Sequence, residues 1–225
     1  MTPPASASRG GDGTRRRRPS AAAGPVEGRG PAAGGTGSPR AAARIPSVGD
    51  RDELLDGIRA NAVVRGDFVL SSGQRANWYV DLRRVLLAGR FAPVAGRVML
   101  EATADLSYEA VGGLTMGADP VATAMMHAAA RQGRILDAFV VRKGEKAHGL
   151  QRRIEGPDVE GRRVLALEDA STTGNSVLTA VEALREAGAE VAGVAVLVDR
   201  GARERVAALG LPYRAAYEQA DLGVE

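Results

Sequence analysis

Short apolar runs alternate along the chain with longer segments in which apolar residues recur at helical spacing. These patterns predict strands near residues 109–114, 136–141, 163–168 and 191–198, and helices near 90–106, 119–132 and 175–187. A further helix is predicted over residues 50–64. Such alternation is typical of a parallel, twisted sheet with helices on both faces, so the sequence predicts an α/β fold.

Residues 1–45 do not follow this pattern. They contain six of the eleven prolines, nine of the 29 glycines, no leucine and no aromatic residue, too little apolar surface to offset the cost of ordering. We therefore predict a disordered tail rich in Arg, Gly, Pro and Ala over 1–45 and one domain over 46–225. Eight arginines and two acids give the tail a charge of +6, which leaves −3 for the rest of a chain whose net charge is +3.

Composition excludes several classes of function. The chain has no cysteine, so disulfides, thiolate nucleophiles and cysteine metal sites are ruled out. The four arginines at 15–18 lack interleaved aromatic residues, and we expect no nucleic-acid partner. No run of about 18 apolar residues and no apolar signal region is present. We therefore expect no membrane association and a cytoplasmic location.

The segment 164–176, V-L-A-L-E-D-A-S-T-T-G-N-S, joins a predicted strand to a predicted helix. The free N–H groups of the first helical turn and several hydroxyls would point at one small volume, where a phosphate monoester fits. The preceding carboxylates, Glu168 and Asp169, suit vicinal hydroxyls or Mg²⁺, so the implied ligand is a ribose 5-phosphate. The alternative is a polar turn in which Ser171 or Thr172 caps the helix.

A second polar segment follows the predicted strand at 137–141. It places four groups that can carry positive charge within seven positions: Arg142, Lys143, Lys146 and His148. The flanking glycines, Gly144 and Gly149, favour a mobile loop. Taken alone, such a charge run also fits a solvated face.

Both segments resemble one family. E-D-A-S-T-T-G-N-S at 168–176 resembles the phosphoribosyl diphosphate (PRPP) binding motif of type I phosphoribosyltransferases. F-V-V-R-K-G-E-K-A-H-G at 139–149 resembles the catalytic loop of orotate phosphoribosyltransferases, with every position of the R-K, K and H-G pattern filled. The resemblance covers nearly all of 50–225. It implies the type I phosphoribosyltransferase fold, with a small N-terminal hood over about 46–88 and a core over about 89–225.

The resemblance also implies roles for individual residues. The acid pair would contact the ribose hydroxyls, and the loop cations would contact the diphosphate. The catalytic residues would be Lys146, His148 and Asp169. The 5-phosphate would be bound by Ala170, Ser171, Thr172, Thr173, Gly174, Asn175 and Ser176. Magnesium would be held mainly through the substrate, with possible help from Glu168, Asp169 and Asp119.

F-V-L-S-S-G-Q-R-A-N-W-Y-V-D-L at 68–82 resembles the family's hood, in which an aromatic pair lies near the base. The expected orotate contacts are Tyr79, Thr172 and Arg200, because an arginine can grip a carboxylate with two hydrogen bonds. Tyr79 also fits a core position, and Arg200 also fits an ion pair with Glu204. Ser71 stands where the family often has lysine, which leaves one phosphate contact of the family without its usual residue.

V-G-G-L-T-M-G-A-D-P at 111–120 resembles the family's loop beside the diphosphate. Its helix is predicted to start with Asp119 as the N-cap and Pro120 at the first helical position. Asp119 could equally serve only as that cap.

The family implies transfer of the ribosyl 5-phosphate group from PRPP to orotate, which gives orotidine 5'-phosphate and diphosphate in pyrimidine synthesis. It also implies a homodimer in which the mobile loop reaches into the neighbour's site. Two alternatives stay open. One is a transferase of the same fold for another nucleobase, and the other is a PRPP-sensing regulator, which would be expected to lose the loop cations that this chain keeps.

Overall fold

The computed structural model describes residues 48–69, 75–144 and 153–224. The strands are β1 Val63–Val69, β2 Arg75–Val80, β3 Ala110–Leu114, β4 Asp137–Val141, β5 Ile154–Glu155, β6 Arg163–Ser171, β7 Glu190–Asp199 and β8 Tyr213–Glu218. The helices are α1 Val48–Asn61, α2 Arg83–Leu86, α3 Ala92–Ala102, α4 Ala118–Arg131, α5 Asn175–Glu186 and α6 Arg203–Ala207, followed by a 3-10 helix at Gln219–Leu222. Within these ranges, every helix is too short or too polar to cross a bilayer.

The central sheet has six strands in the order β5-β4-β3-β6-β7-β8. All neighbouring strands are parallel except β5, which pairs antiparallel with β4. The predicted α/β fold is therefore confirmed, with one correction, because the sheet is mixed at one edge. A strand of two residues carries no readable periodicity, and neither β5 nor β8 was predicted.

Apolar side chains cover both faces of the sheet. Along β6, Leu165 and Leu167 belong to a core shared with α1, α3 and α4, whereas Val164 and Ala166 belong to a core shared with α5. Successive residues of a strand point to opposite faces, so a strand buried on both sides has a continuous apolar run. This run continues directly into the two acids, which places them at the carboxyl end of a central strand.

The hood consists of α1 and the antiparallel hairpin of β1 and β2. The predicted helix at 50–64 is present but ends at Asn61, because Val63 and Val64 pair with β2. Several hydrogen bonds dock α1 on the core. Among them, Arg97 donates to both carboxylate oxygens of Asp50 at 2.9 and 2.8 Å, and the Tyr217 hydroxyl donates to the Arg51 carbonyl at 2.8 Å. The domain boundaries at 45 and 88 stay predictions.

Candidate active site

A cleft of about 420 Å³ opens at the carboxyl ends of β3, β4 and β6. In open α/β sheets, ligands bind outside the carboxyl ends of the strands. The cleft is lined by Tyr79, Val80, Asp81, Arg83, Leu114, Thr115, Met116, Gly117, Lys143, Glu168, Asp169 and Ser176. The hood, the loop after β3, the end of β4 and the junction of β6 and α5 thus meet around one space.

The two acids stand inside β6, which extends through Ser171 because Ala170 and Ser171 still pair with β7. Strand alternation sends Asp169 toward the hood side and Glu168 toward α5. Burial raises the pKa of Glu168, and the nearby hydroxyls of Ser171 and Ser176 oppose that rise. Burial also raises the pKa of Asp169. The Ala170 N–H donates to Asp169 Oδ1 at 2.9 Å, and this hydrogen bond opposes the rise. The cleft therefore holds two partly desolvated carboxyl groups.

The turn from β6 into α5 leaves the helix start uncapped. The N-cap is Gly174, with a φ of 75° and no side chain to cap the helix, so the alternative of a Ser171 or Thr172 cap is wrong. Thr173 Oγ1 accepts a long hydrogen bond from the Asn175 N–H at 3.4 Å. Uncapped N–H groups of a first turn form an anion site, and left-handed φ values favour glycine. Thr172, Thr173 and Asn175 are exposed around this turn. The predicted phosphate segment is therefore assembled as one open turn beside the acid pair.

The predicted diphosphate cations fall into two groups. Lys143 lines the cleft, whereas Arg142 forms an ion pair with Glu155 at 3.3 Å, and its backbone N–H donates to Arg153. Lys146 and His148 lie outside the described residues, as does Ser71. Among the described residues, the structure thus places Lys143, but not Arg142, against the acid pair's cleft.

Of the three predicted base contacts, only Tyr79 lines the cleft. Tyr79 is 39% exposed and lines the cleft, which excludes a core position. Neither Arg200 nor Thr172 lines the cleft itself. Arg200 stacks over the ring of Trp78, with Cζ 4.5 Å from the ring centroid. Among the described residues, no carboxylate forms an ion pair with Arg200, so the alternative of a pair with Glu204 is wrong.

The predicted start of α4 is wrong by two residues. The helix begins at Ala118 with Gly117 as its N-cap, so Asp119 and Pro120 lie within the first turn. The backbone at Gly117 already has helical φ and ψ angles, so the helix starts closer to the cleft than predicted. Asp119 accepts from Thr115 Oγ1 at 2.7 Å, and its Oδ1 is buried with no hydrogen-bond partner among the described atoms. Asp119 supports the loop after β3 and does not line the cleft.

Asp81 and Arg83 are cleft residues that the sequence analysis did not identify. Arg83 Nε donates to Asp81 Oδ1 at 2.8 Å, and the guanidinium charge opposes the raised pKa of Asp169. The available signal was their position directly after the aromatic pair, in the segment W-Y-V-D-L-R. Their place in the cleft depends on how the hood folds over the core.

A parallel sheet with an acid pair at the end of a central strand, followed by an uncapped hydroxyl-rich turn, defines a phosphoribosyltransferase. A family model described as "Phosphoribosyl transferase domain" matches residues 107–208. The orotate phosphoribosyltransferase of Streptomyces avermitilis is 64% identical over 178 residues, which cover 78% of this chain and 98% of that protein. The chain belongs to the orotate phosphoribosyltransferase family.

Solved structures agree with this assignment. The Mycobacterium tuberculosis orotate phosphoribosyltransferase in complex with PRPP is 53% identical, with a TM-score of 0.68, over 78% of this chain and 99% of that one. A phosphoribosyltransferase from Corynebacterium diphtheriae is 54% identical, with a TM-score of 0.71, over 79% of this chain and 100% of that one. The similarity therefore extends through the hood, beyond the segment that the family model matches.

The family implies magnesium, and the acid pair fits an ion held mainly by substrate. Within the described ranges, no group of three or more His, Cys, Asp or Glu side chains is arranged to hold a metal. Mg²⁺ usually keeps several waters and binds through one or two carboxylates plus substrate phosphates. Glu168 Oε2 is buried without a hydrogen-bond partner among the described atoms, and Asp169 lines the cleft. The two acids can supply such ligands.

Proposed function

We propose that this protein transfers the ribosyl 5-phosphate group from PRPP to orotate, giving orotidine 5'-phosphate and diphosphate in pyrimidine synthesis. One observation carries the proposal: the acid pair at the end of β6 and the uncapped start of α5 share a cleft with a cation, Lys143. That arrangement suits a sugar that carries a phosphate at one end and a diphosphate at the other.

The proposed roles follow the position of each group. Glu168 and Asp169 hold the ribose hydroxyls, and residues 170–176 hold the 5-phosphate. We assign Lys143, Lys146 and His148 to the diphosphate, with Arg142 as a weaker contact because Glu155 already pairs with it. Preorganised cations stabilise charge as it develops on a leaving group.

The reaction needs no covalent nucleophile from the protein. A bond forms between orotate N1 and ribose C1, and the bond between C1 and the diphosphate oxygen breaks, so the diphosphate leaves with the electron pair. The proton that N1 loses passes to the departing diphosphate. Bound Mg²⁺ would neutralise part of the diphosphate charge. The residues of the chain bind the two substrates, orient N1 toward C1 and exclude water from the cleft.

We also propose that the protein acts as a homodimer with shared active sites and works in the cytoplasm. The dimer proposal rests on the resemblance of 139–149 to a family loop that reaches into the neighbouring subunit. The cytoplasmic location carries over the expectation from the sequence.

The test is diphosphate release from PRPP and Mg²⁺ with a panel of bases. We expect release with orotate and at least about 100-fold less with uracil, adenine or hypoxanthine, because a site built for a carboxylate rejects bases that lack it. Release with a purine alone would indicate a transferase for another base. PRPP binding without release with any base would indicate a sensor.

A further inference from the structure

The backbone around Arg200 is held on both sides. Asp199 Oδ1 accepts from the N–H groups of Gly201 and Ala202, each at 2.9 Å. The Arg200 N–H donates to the Ser171 carbonyl at 2.8 Å, which ties this turn to the end of the strand that carries the acid pair. The Cα of Arg200 is thereby fixed relative to the sugar-phosphate site.

Two side chains from other elements then orient the guanidinium. Trp78 of β2 presents its ring face to the group at 4.5 Å, and Gln219 accepts a hydrogen bond from Nε at 3.4 Å through its Oε1. Stacking on an aromatic face and a single acceptor at Nε restrict rotation of a planar guanidinium. Trp78 and Gln219 are far apart in the sequence, so they meet around Arg200 only when the hood has folded onto the core.

This arrangement leaves the outer edge of the guanidinium unused. Among the described residues, neither Nη atom of Arg200 donates to a protein acceptor, and no carboxylate pairs with it. The side chain is partly buried, so the protein withdraws it from water without supplying an anion. A ligand carboxylate would satisfy both Nη groups with two parallel hydrogen bonds.

We propose that Trp78 and Gln219 are positioning residues that hold the Arg200 guanidinium ready for the carboxylate of the base, and so set the preference for orotate over uracil. The inference rests on the proposed function and deepens it. Tyr79 lines the cleft and Trp78 does not, so stacking on the base is left to Tyr79.

The test compares Gln219→Ala, Trp78→Leu and Trp78→Phe, with Gln132→Ala as the matched control. Gln132 is exposed at the end of α4. We expect Gln219→Ala and Trp78→Leu each to raise KM for orotate about 10-fold, the effect of losing one contact to a charged group. KM for PRPP and kcat should change less than about 2-fold, and Trp78→Phe should restore most of the orotate affinity because it keeps an aromatic face.

A double-mutant cycle separates positioning from general support of the fold. In an Arg200→Ala background, adding Gln219→Ala should raise KM for orotate no further, since the group that Gln219 orients is gone. Additive effects, or equal losses in KM for orotate and for PRPP, would overturn the proposal. Absence of orotate turnover by the unmodified protein would instead overturn the proposed function.

A measurement without turnover guards against variants that fold poorly. Trp78 is the chain's one tryptophan, so its fluorescence reports on this stack alone. Arg200→Ala should change the emission intensity of the protein, and Gln132→Ala should not. Identical emission from Arg200→Ala and the unmodified protein would show that the stack does not exist in solution and would overturn the proposal.

Discussion

Gly117 and Asp169 meet across the floor of the cleft: a Cβ added at Gly117 would lie 2.4 Å from Asp169 Oδ1. The backbone at Gly117 has a φ of −71° and a ψ of −46°, which any residue adopts. Glycine is therefore required here for space and not for conformation. The contact joins the loop after β3 to the end of β6, and it fixes where the carboxylate can stand.

Gly117→Ala should reduce kcat/KM by about 10- to 100-fold, because the methyl group must displace a short, partly buried carboxylate that the Ala170 N–H holds in place. Steady-state kinetics with orotate and PRPP measure the loss. Gly89→Ala is the control, since a Cβ at Gly89 meets no atom within 4 Å. Full activity of Gly117→Ala would show that Asp169 can move without consequence.

Asp169→Asn should lower kcat by about 100-fold or more and yet stabilise the fold at neutral pH. Burial raises the pKa of Asp169 in the folded state, so between its unfolded and folded pKa values the native state holds more protons. Stability therefore falls as pH rises through that window, and the cost is complete above the folded pKa. Removing the charge should raise Tm by about 2 °C or more at pH 8 and by less at pH 3, below the ordinary aspartate pKa of about 3.9.

Thermal melting of Asp169→Asn at these two pH values checks the sign. Asp105→Asn is the opposite control, because a hydrogen bond from Arg214 lowers the pKa of Asp105. That substitution should leave Tm unchanged or reduce it. A lower Tm for Asp169→Asn at pH 8 would contradict the argument from burial.

Lys143→Ala should damage PRPP use more than Arg142→Ala does. Lys143 lines the cleft, whereas Arg142 is held by Glu155. We expect kcat/KM for PRPP to fall about 10-fold or more for Lys143→Ala, and by about 3-fold or less for Arg142→Ala, as for one partly exposed ion pair. Initial rates at varied PRPP concentration measure kcat/KM for both variants. A larger loss for Arg142→Ala than for Lys143→Ala would mean that Arg142 leaves Glu155 and binds the substrate.

Deletion of residues 1–45 should leave kcat and both KM values within about 2-fold of the full chain, because the segment lacks the apolar residues needed to pack on the domain. Among the described residues, all that line the cleft lie at or beyond Tyr79. The Streptomyces avermitilis relative is matched over 98% of its length by 78% of this chain. A large loss of turnover in the truncated protein would assign the tail a role in catalysis.

The sequence was sufficient to predict four of the six strands of the central sheet and to locate the acid pair. Strands such as β6 are continuous apolar runs. The acid pair and the turn at Gly174 lie close together in the sequence just after such a run, so a local pattern is enough to locate both. β1 is interrupted by a register shift between Arg65 and Phe68, and β5 is two residues long, so neither has a readable period.

Relationships across the fold could not be predicted in this way. Gly117 and Asp169 are distant in sequence, and so are Trp78 and Arg200, and no local pattern pairs them. The start of α4 was misplaced because capping propensity favours Asp119, whereas the structure begins that helix at Ala118, against the acid pair. Long-range packing decided each of these features.

The most direct measurement is the fall in orotate absorbance when purified full-length protein is mixed with PRPP and Mg²⁺. The account predicts stoichiometric conversion of orotate to orotidine 5'-phosphate that stops when PRPP or Mg²⁺ is omitted and is nearly abolished by Asp169→Asn. Unchanged absorbance with the full mixture, or conversion that Asp169→Asn leaves intact, would contradict it.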